Sequence, residues 1–111
     1  MKLRSLWSIL VAIPIAANAT GGSGGPATTI TSVTVDSWDQ LINITGSWGG
    51  NPDGCGVHTF AVIQMSTPNY KDMLAAALMA SAAGKTVSLW FNTCLNTPWG
   101  NAPIITSITV N

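Results

Sequence analysis

The sequence predicts a small, mainly β domain of the β+α class, with the element order β-β-β-α-β-β and one disulfide. Five runs rich in β-branched or alternating apolar residues are typical of strands. One alanine-rich stretch without β-branched residues lies between Pro68 and Gly84, which is typical of a helix. Two cysteines, Cys55 and Cys94, stand in a chain that begins with an export signal.

Residues 1–19 have the pattern of a secretory signal peptide. Lys2 and Arg4 form its positive start, an apolar run of about eleven residues follows, and 17–19 (Ala-Asn-Ala) form a cleavage site. A membrane-spanning helix needs roughly 20 residues, so the apolar run is too short to cross a bilayer. We therefore predict cleavage after Ala19 and a secreted or periplasmic protein.

Residues 20–26 are predicted to be a flexible leader that does not pack, because 21–26 read Gly-Gly-Ser-Gly-Gly-Pro. The remaining residues, 27–111, are enough for one domain. Without the signal peptide, two lysines against four aspartates give a formal net charge of −2. Two cations cannot neutralise a phosphate backbone, so nucleic acid is not an expected partner.

Cys55 and Cys94 are expected to form a disulfide. An even cysteine count in an exported chain of this size favours one, and a domain this small needs such a cross-link. A metal site is the alternative interpretation. The chain has one histidine, His58, which with two cysteines falls short of the four ligands of a structural zinc site. No metal and no cofactor are therefore expected.

Three strands are predicted before the helix. The first, 29–35, is rich in Thr, Ile and Val, and the turn-forming segment 36–40 follows it. The second strand, 41–46, alternates, with Ile42 and Ile44 on one face, expected to be buried, and Asn43 and Thr45 on the other. A glycine-rich loop at 49–54 leads to the third strand, 58–64.

The helix is predicted to begin near Ser66 or Thr67, either of which can cap it, with Pro68 in its first turn. Gly84 is expected to end it in the left-handed conformation. At helical spacing, the side facing the core is expected to hold Tyr70, Met73, Leu74, Ala77, Leu78 and Ser81.

Two strands are predicted after the helix. The fourth, 85–92, would bury Val87, Leu89 and Phe91, the segment 94–102 is predicted to be a loop, and 103–110 is the fifth strand. Three strands, a helix and two strands is the order of the OB-fold, a five-stranded, partly open barrel. We therefore predict a five-stranded OB-fold barrel, although other small α+β sheets share the element count.

The helix and the strand after it also carry a family resemblance. The segment 69–90, with Asn-Tyr-Lys-Asp-Met-Leu at its start and Ala-Gly-Lys-Thr-Val-Ser-Leu-Trp at its end, resembles the subtilase-cytotoxin-like B subunits of pentameric bacterial toxins. The first hairpin, 30–44, is similar in pattern and spacing. The resemblance implies an OB-fold subunit that binds host-cell glycans as a pentamer, or a member of a broader group of small exported OB-fold proteins. This chain is shorter, lacks the long C-terminal extension and has a different cysteine arrangement, so no sugar-contacting residue is carried over.

The sequence offers no cluster of residues for catalysis. Asp36, Asp39 and Asp53 stand among turn formers, where aspartate usually binds its own backbone. His58 has no carboxylate near it in sequence and no serine in a nucleophile-elbow context. We therefore predict a non-enzymatic protein.

Tryptophans in two of the predicted loops indicate a binding function. Trp38 lies in the connection between strands one and two, and Trp99 lies in the connection between strands four and five. OB-folds bind oligosaccharides and oligonucleotides with these two connections. Flat rings beside short polar side chains suit a glycan. The candidate ligand-binding residues are Trp38, Asp39, Asn96, Trp99 and Asn101. The alternative is that both rings fold back over the core as lids.

A second candidate surface suggests self-association. A helix that is apolar all round is normally buried on both sides, and Trp90 alternates with inward residues and is expected to point outward. The candidate interface residues are Asp72, Ala75, Ala76, Met79, Ala83 and Trp90. They would make the chain a structural or interaction protein that docks on itself or on another exported protein. The competing interpretation is that alanine is simply a good helix former that tolerates water.

Overall fold

The computed structural model describes residues 21–46, 48–57 and 59–111, and of Asp39 the backbone only. This part of the chain is mainly β, with six strands and one helix. In chain order they are β1 (Gly22–Ser23), β2 (Thr28–Asp36), β3 (Leu41–Gly46), β4 (Phe60–Gln64), α1 (Tyr70–Ala83), β5 (Thr86–Thr97) and β6 (Gly100–Val110). A 3-10 turn, Trp38–Gln40, joins β2 to β3. The predicted signal peptide, its cleavage site and His58 lie outside the described residues.

All six strands belong to one sheet. β2 pairs antiparallel with β3, β3 antiparallel with β4, β4 parallel with β6, and β6 antiparallel with β5. β5 in turn pairs with the start of β2, where Thr28 lies opposite Val87. The pairings of the five longer strands therefore form a closed circuit, and β1 adds to β5.

The main core lies between one face of these strands and one side of α1. Alternation along β3 and β5 buries Ile42, Ile44, Val87, Leu89 and Phe91, as predicted. The other members of this core are Ile30, Trp48, Ala61, Ile63, Met73, Ala77, Ala80 and Ile105.

The start and the buried side of α1 differ from the prediction. Asn69 occupies the N-cap position without a side-chain hydrogen bond, so neither Ser66 nor Thr67 caps the helix and Pro68 precedes it. Leu78, predicted in the core, is 49% exposed, because α1 packs against β2, β4 and β6 through a side that includes Ala80 instead. Gly84 ends the helix in the left-handed conformation (φ 67°), as predicted.

The segment 94–102, predicted as a loop, is the distal half of a β-hairpin. β5 and β6 stay paired out to Thr97 and Gly100, and the register shifts near Thr93, whose φ is +61°. Irregularities of this kind bend a strand. The distal half, residues 94–103, is called the arm below. It covers the outer face of β3 and β4, where its apolar residues meet theirs in a second small cluster of Leu41, Phe60, Val62, Leu95, Ala102 and Ile104.

The predicted disulfide is present and joins the arm to the loop after β3. Cys55 and Cys94 are linked with their Cα atoms 5.7 Å apart. On the same loop, the Asp53 carboxylate accepts hydrogen bonds from the backbone N–H groups of Gly21 (3.1 Å) and Thr93 (2.6 Å). The base of the arm is thus held by a covalent bond and by a carboxylate.

Residues 21–26 pack on the domain, which corrects the prediction of a leader that does not pack. The Gly24 N–H donates to the Leu89 carbonyl oxygen at 2.8 Å, and the Gly50 N–H donates to the Gly24 carbonyl oxygen at 2.6 Å. A Cβ on Gly50 would lie only 2.5 Å from the Gly24 carbonyl carbon. The absence of side chains lets the two backbones meet, so the glycines serve close packing here rather than flexibility.

We expect Gly50→Ala to lower the free energy of unfolding by roughly 1–3 kcal/mol, because overpacking against backbone atoms cannot be relieved by a side-chain rotation. Urea denaturation followed by tryptophan fluorescence measures it. Gly56→Ala is the control, since its Cβ would lie 3.6 Å from the Asn101 Cβ, an ordinary contact. Equal stabilities of the two variants would contradict the packing of residues 21–26.

Candidate functional site

A groove of about 390 Å³ lies on the face of β2, β3 and β4 that points away from the main core. It is lined by Thr34, Asp36, Asn43, Thr45, Thr59, Phe60 and Trp99. Thr34 lies opposite Asn43, and Thr45 opposite Phe60, so alternation brings these side chains to one face. The volume is at the small end of the range for small-molecule sites, roughly 300–1,000 Å³.

Trp38 and Trp99 meet at the rim of this groove, although they are far apart in sequence. Their ring centroids are 6.3 Å apart and the planes make an angle of 73°, an edge-to-face arrangement. Trp38 is 40% exposed and Trp99 51% exposed. The rings therefore do not form lids over the core, and the tryptophan pair presents aromatic surface to solvent.

Each ring of the tryptophan pair is carried by a turn that a short side chain stabilises. The Asp36 Oδ1 accepts a hydrogen bond from the Trp38 N–H at 2.7 Å, the local role predicted for this aspartate. The Thr97 Oγ1 accepts from the Trp99 N–H at 3.1 Å and donates to the Gly100 carbonyl oxygen at 2.7 Å. Turns fixed in this way reduce the entropy that a ligand must remove on binding.

Asn43 provides a buried polar group in the groove. Its side chain is 9% exposed, and its Oδ1 has no hydrogen-bond partner among the described protein atoms. An unpaired buried polar atom costs about 1–3 kcal/mol. Rotation about χ2 is soft for asparagine, so the amide can turn its oxygen or its NH₂ group towards the groove. A partner that enters the groove and pairs with this amide recovers part of that cost.

The groove has a neutral to negative character. Among the described residues that line it, Asp36 is the ionisable one, and neither Lys71 nor Lys85 is included. Lys71 lies in the first turn of α1, and Lys85 lies between α1 and β5. The described part of the site therefore offers none of the cationic contacts that phosphate groups require.

The structure separates the predicted ligand-binding residues into two groups. Trp38 and Trp99 come together at the groove. Asn96 and Asn101 do not line it: the Asn101 Nδ2 donates to the Asn96 Oδ1 at 2.7 Å, and the Asn101 Oδ1 accepts from the Gly56 N–H at 3.3 Å. Asn101 therefore holds the arm to the loop after β3, and Asn96 fixes the Asn101 side chain. The side chain of Asp39 is outside the described part.

The sequence prediction missed the polar residues of the groove wall. Asn43 and Thr45 were predicted on the face of the second strand opposite its isoleucines, which was the signal that could have identified them. A polar strand face is usually exposed to solvent. Here the arm covers part of that face, and the groove lies between the arm and the strands. No group of three or more metal-ligating side chains occurs in the part of the chain that the structure describes.

The predicted interface on α1 is exposed except for the half-buried Ala76. Trp90 on β5 is 52% exposed. That these residues bind a second copy or another protein stays a prediction, which size-exclusion chromatography with light scattering would test. Among residues 21–46, 48–57 and 59–111, no helix is long and apolar enough to cross a membrane.

Comparisons with known proteins do not assign this chain to a family. A scan against protein-family models, a search of curated proteins and a search of solved structures each find no match. The resemblance to toxin B subunits therefore stays a prediction, and function has to be inferred from the groove itself.

Proposed function

We propose that this chain is a secreted or periplasmic, non-enzymatic binding module that holds a glycan in the groove beside the tryptophan pair. The observation that carries the proposal is the position of an exposed, preorganised pair of indole rings beside a buried, unpaired amide. The chemistry of a sugar matches both, because its C–H face packs on an aromatic ring and its hydroxyls pair with amides, carboxylates and other hydroxyls.

The strand pairing supports an OB-fold barrel as the scaffold. The circuit β2-β3-β4-β6-β5, with α1 between β4 and β5 in the chain, is the observation that favours a five-stranded barrel. OB-folds bind oligosaccharides and oligonucleotides on the face of their second and third strands, between the first and the last strand connections. In that assignment β3 and β4 line the groove, and Trp38 and Trp99 occupy the two connections.

The remaining residues of the groove favour a sugar over the other ligand class of this fold. An oligonucleotide needs cations along its phosphates, and none is found among the described residues that line the groove. Three threonine hydroxyls, of Thr34, Thr45 and Thr59, add groups that both donate and accept hydrogen bonds.

A glycan array probed with the exported protein, followed by tryptophan-fluorescence titration of the glycans it binds, tests this proposal. We expect binding with a Kd in the range of roughly 10 μM to 1 mM, accompanied by a change in fluorescence as a sugar covers exposed indole surface. An empty array, together with no fluorescence change at about 10 mM of any tested sugar, would contradict it.

A further inference from the structure

Hydrogen-bonding groups at the groove are arranged for a partner that both donates and accepts. Asp36 lies two positions from Thr34, the direct cross-strand partner of Asn43, so the carboxylate and the amide belong to diagonal neighbours on one face. Such neighbours lie about 7–8 Å apart between Cα atoms. The ionised carboxylate only accepts hydrogen bonds, whereas the amide both donates and accepts. Two hydroxyls of one sugar ring can bridge this pair, one donating to Asp36 and the other pairing with Asn43.

Anionic groups have no counterpart in the groove. A sugar carboxylate, sulfate or phosphate is an acceptor-only group that binds best to arginine, lysine or several converging N–H groups. The lining residues that the structure describes include no cation, and Asp36 would repel a second negative charge in a partly desolvated site. The negative charge of Asp36, which disfavours the phosphates of a nucleic acid, therefore also disfavours glycans that carry acidic groups.

We infer that the groove selects neutral, hydroxyl-rich saccharides and rejects sialylated, sulfated or phosphorylated glycans, with the Asp36 carboxylate as the specificity-determining group. This inference depends on the proposed glycan-binding function. It assigns Asn43 to the recognition of hydroxyls and Asp36 to discrimination by charge.

Matched glycans that share one neutral core test the selection. Lactose and N-acetyllactosamine, each with its 3′-sialylated and 3′-sulfated forms, are titrated into the exported protein by calorimetry, alongside the neutral glycans that the array identifies. For a core that binds, we expect the neutral form to bind at least about tenfold more tightly than either anionic form. Equal or tighter binding of the anionic forms would overturn the selection and leave the glycan-binding proposal standing. Absence of binding by every glycan would overturn both.

Two variants connect the selection to the residues. Asp36→Asn keeps the side-chain oxygen that accepts from the Trp38 N–H, so the turn is retained while the charge is removed. We expect this variant to bind the neutral and anionic forms within about threefold of each other, and Asp72→Asn, which removes the same charge from the exposed surface of α1, to keep the wild-type discrimination. Unchanged discrimination in Asp36→Asn would overturn the role of Asp36.

Asn43→Leu is expected to reduce the affinity for the neutral form by about tenfold or more. Thermal unfolding is recorded for each variant. If Asn43→Leu does not fold, Asn43→Ala, which removes the amide without adding bulk, is used in its place. Retention of wild-type affinity by a folded variant would overturn the role of Asn43.

Discussion

Trp99→Ala is expected to weaken glycan binding by roughly 30-fold, equivalent to about 2 kcal/mol, because it removes the larger exposed surface of the tryptophan pair and one wall of the groove. Isothermal titration with a neutral glycan from the array measures the loss. Stability should change little, since half of the ring is already in water. A folded variant that binds as tightly as the wild type would contradict the proposed site.

Trp90→Ala provides the matched control for this variant. Trp90 is as exposed as Trp99, but it lies on β5, pairs in register with Ser23 and Ser107, and is not among the residues that line the groove. Its removal should leave the affinity unchanged. Trp38→Ala should have an intermediate effect on the affinity, because Trp38 packs against Trp99 but is not itself one of the residues that line the groove. Equal losses in all three variants would indicate a general effect on the fold.

The second large effect is expected from removal of the disulfide. Cys55 and Cys94 are 39 positions apart, and closing a loop of that length stabilises a domain by about 4 kcal/mol in the chain-entropy model. Small domains have a total stability of only about 5–15 kcal/mol. We therefore expect the Cys55→Ala, Cys94→Ala double variant to lose about 4 kcal/mol in urea denaturation, and reductant to lower the midpoint of the wild type similarly.

The structure adds a functional consequence to this loss. Cys94 begins the arm that carries Trp99. Without the disulfide, the hydrogen bonds to the loop after β3 include that of Asp53 with Thr93, at the base of the arm, and that of Asn101 with Gly56. Reduction at low denaturant should therefore weaken glycan binding before the main core unfolds. Mass spectrometry after alkylation checks the bond directly: two alkylatable thiols in the native protein would contradict the disulfide and weaken the inference of an oxidising compartment.

Features encoded by neighbouring residues were predicted well from the sequence. The bounds of β3 and the left-handed end of α1 at Gly84 agree with the structure, because side-chain alternation and glycine's conformational freedom act within a few residues. The hydrogen bond from the Trp38 N–H to Asp36 is likewise a contact between neighbouring residues, and the sequence predicted this local role for Asp36. The disulfide was predicted from the cysteine count, the chain size and the pattern of an export signal.

Features that depend on contacts between distant parts of the chain were not predicted from the sequence. α1 is rich in alanine on every side, so its pattern did not distinguish Ala80, which packs inward, from the exposed Leu78. The glycines of 21–25 have the composition of a linker, yet they pack because Gly50, another residue without a side chain, lies against them.

The sequence therefore identified Trp38 and Trp99 as candidate binding residues, but it did not predict the groove beside which they meet. Local patterns were enough to predict the bounds of β3, the left-handed end of α1 and the turn that carries Trp38. Only the tertiary structure decided that the hairpin bends near Thr93, lays the arm over β3 and β4, and makes Asn43 part of a groove. The physical reason is that burial of a strand's second face depends on what another part of the chain places over it, which no local pattern records.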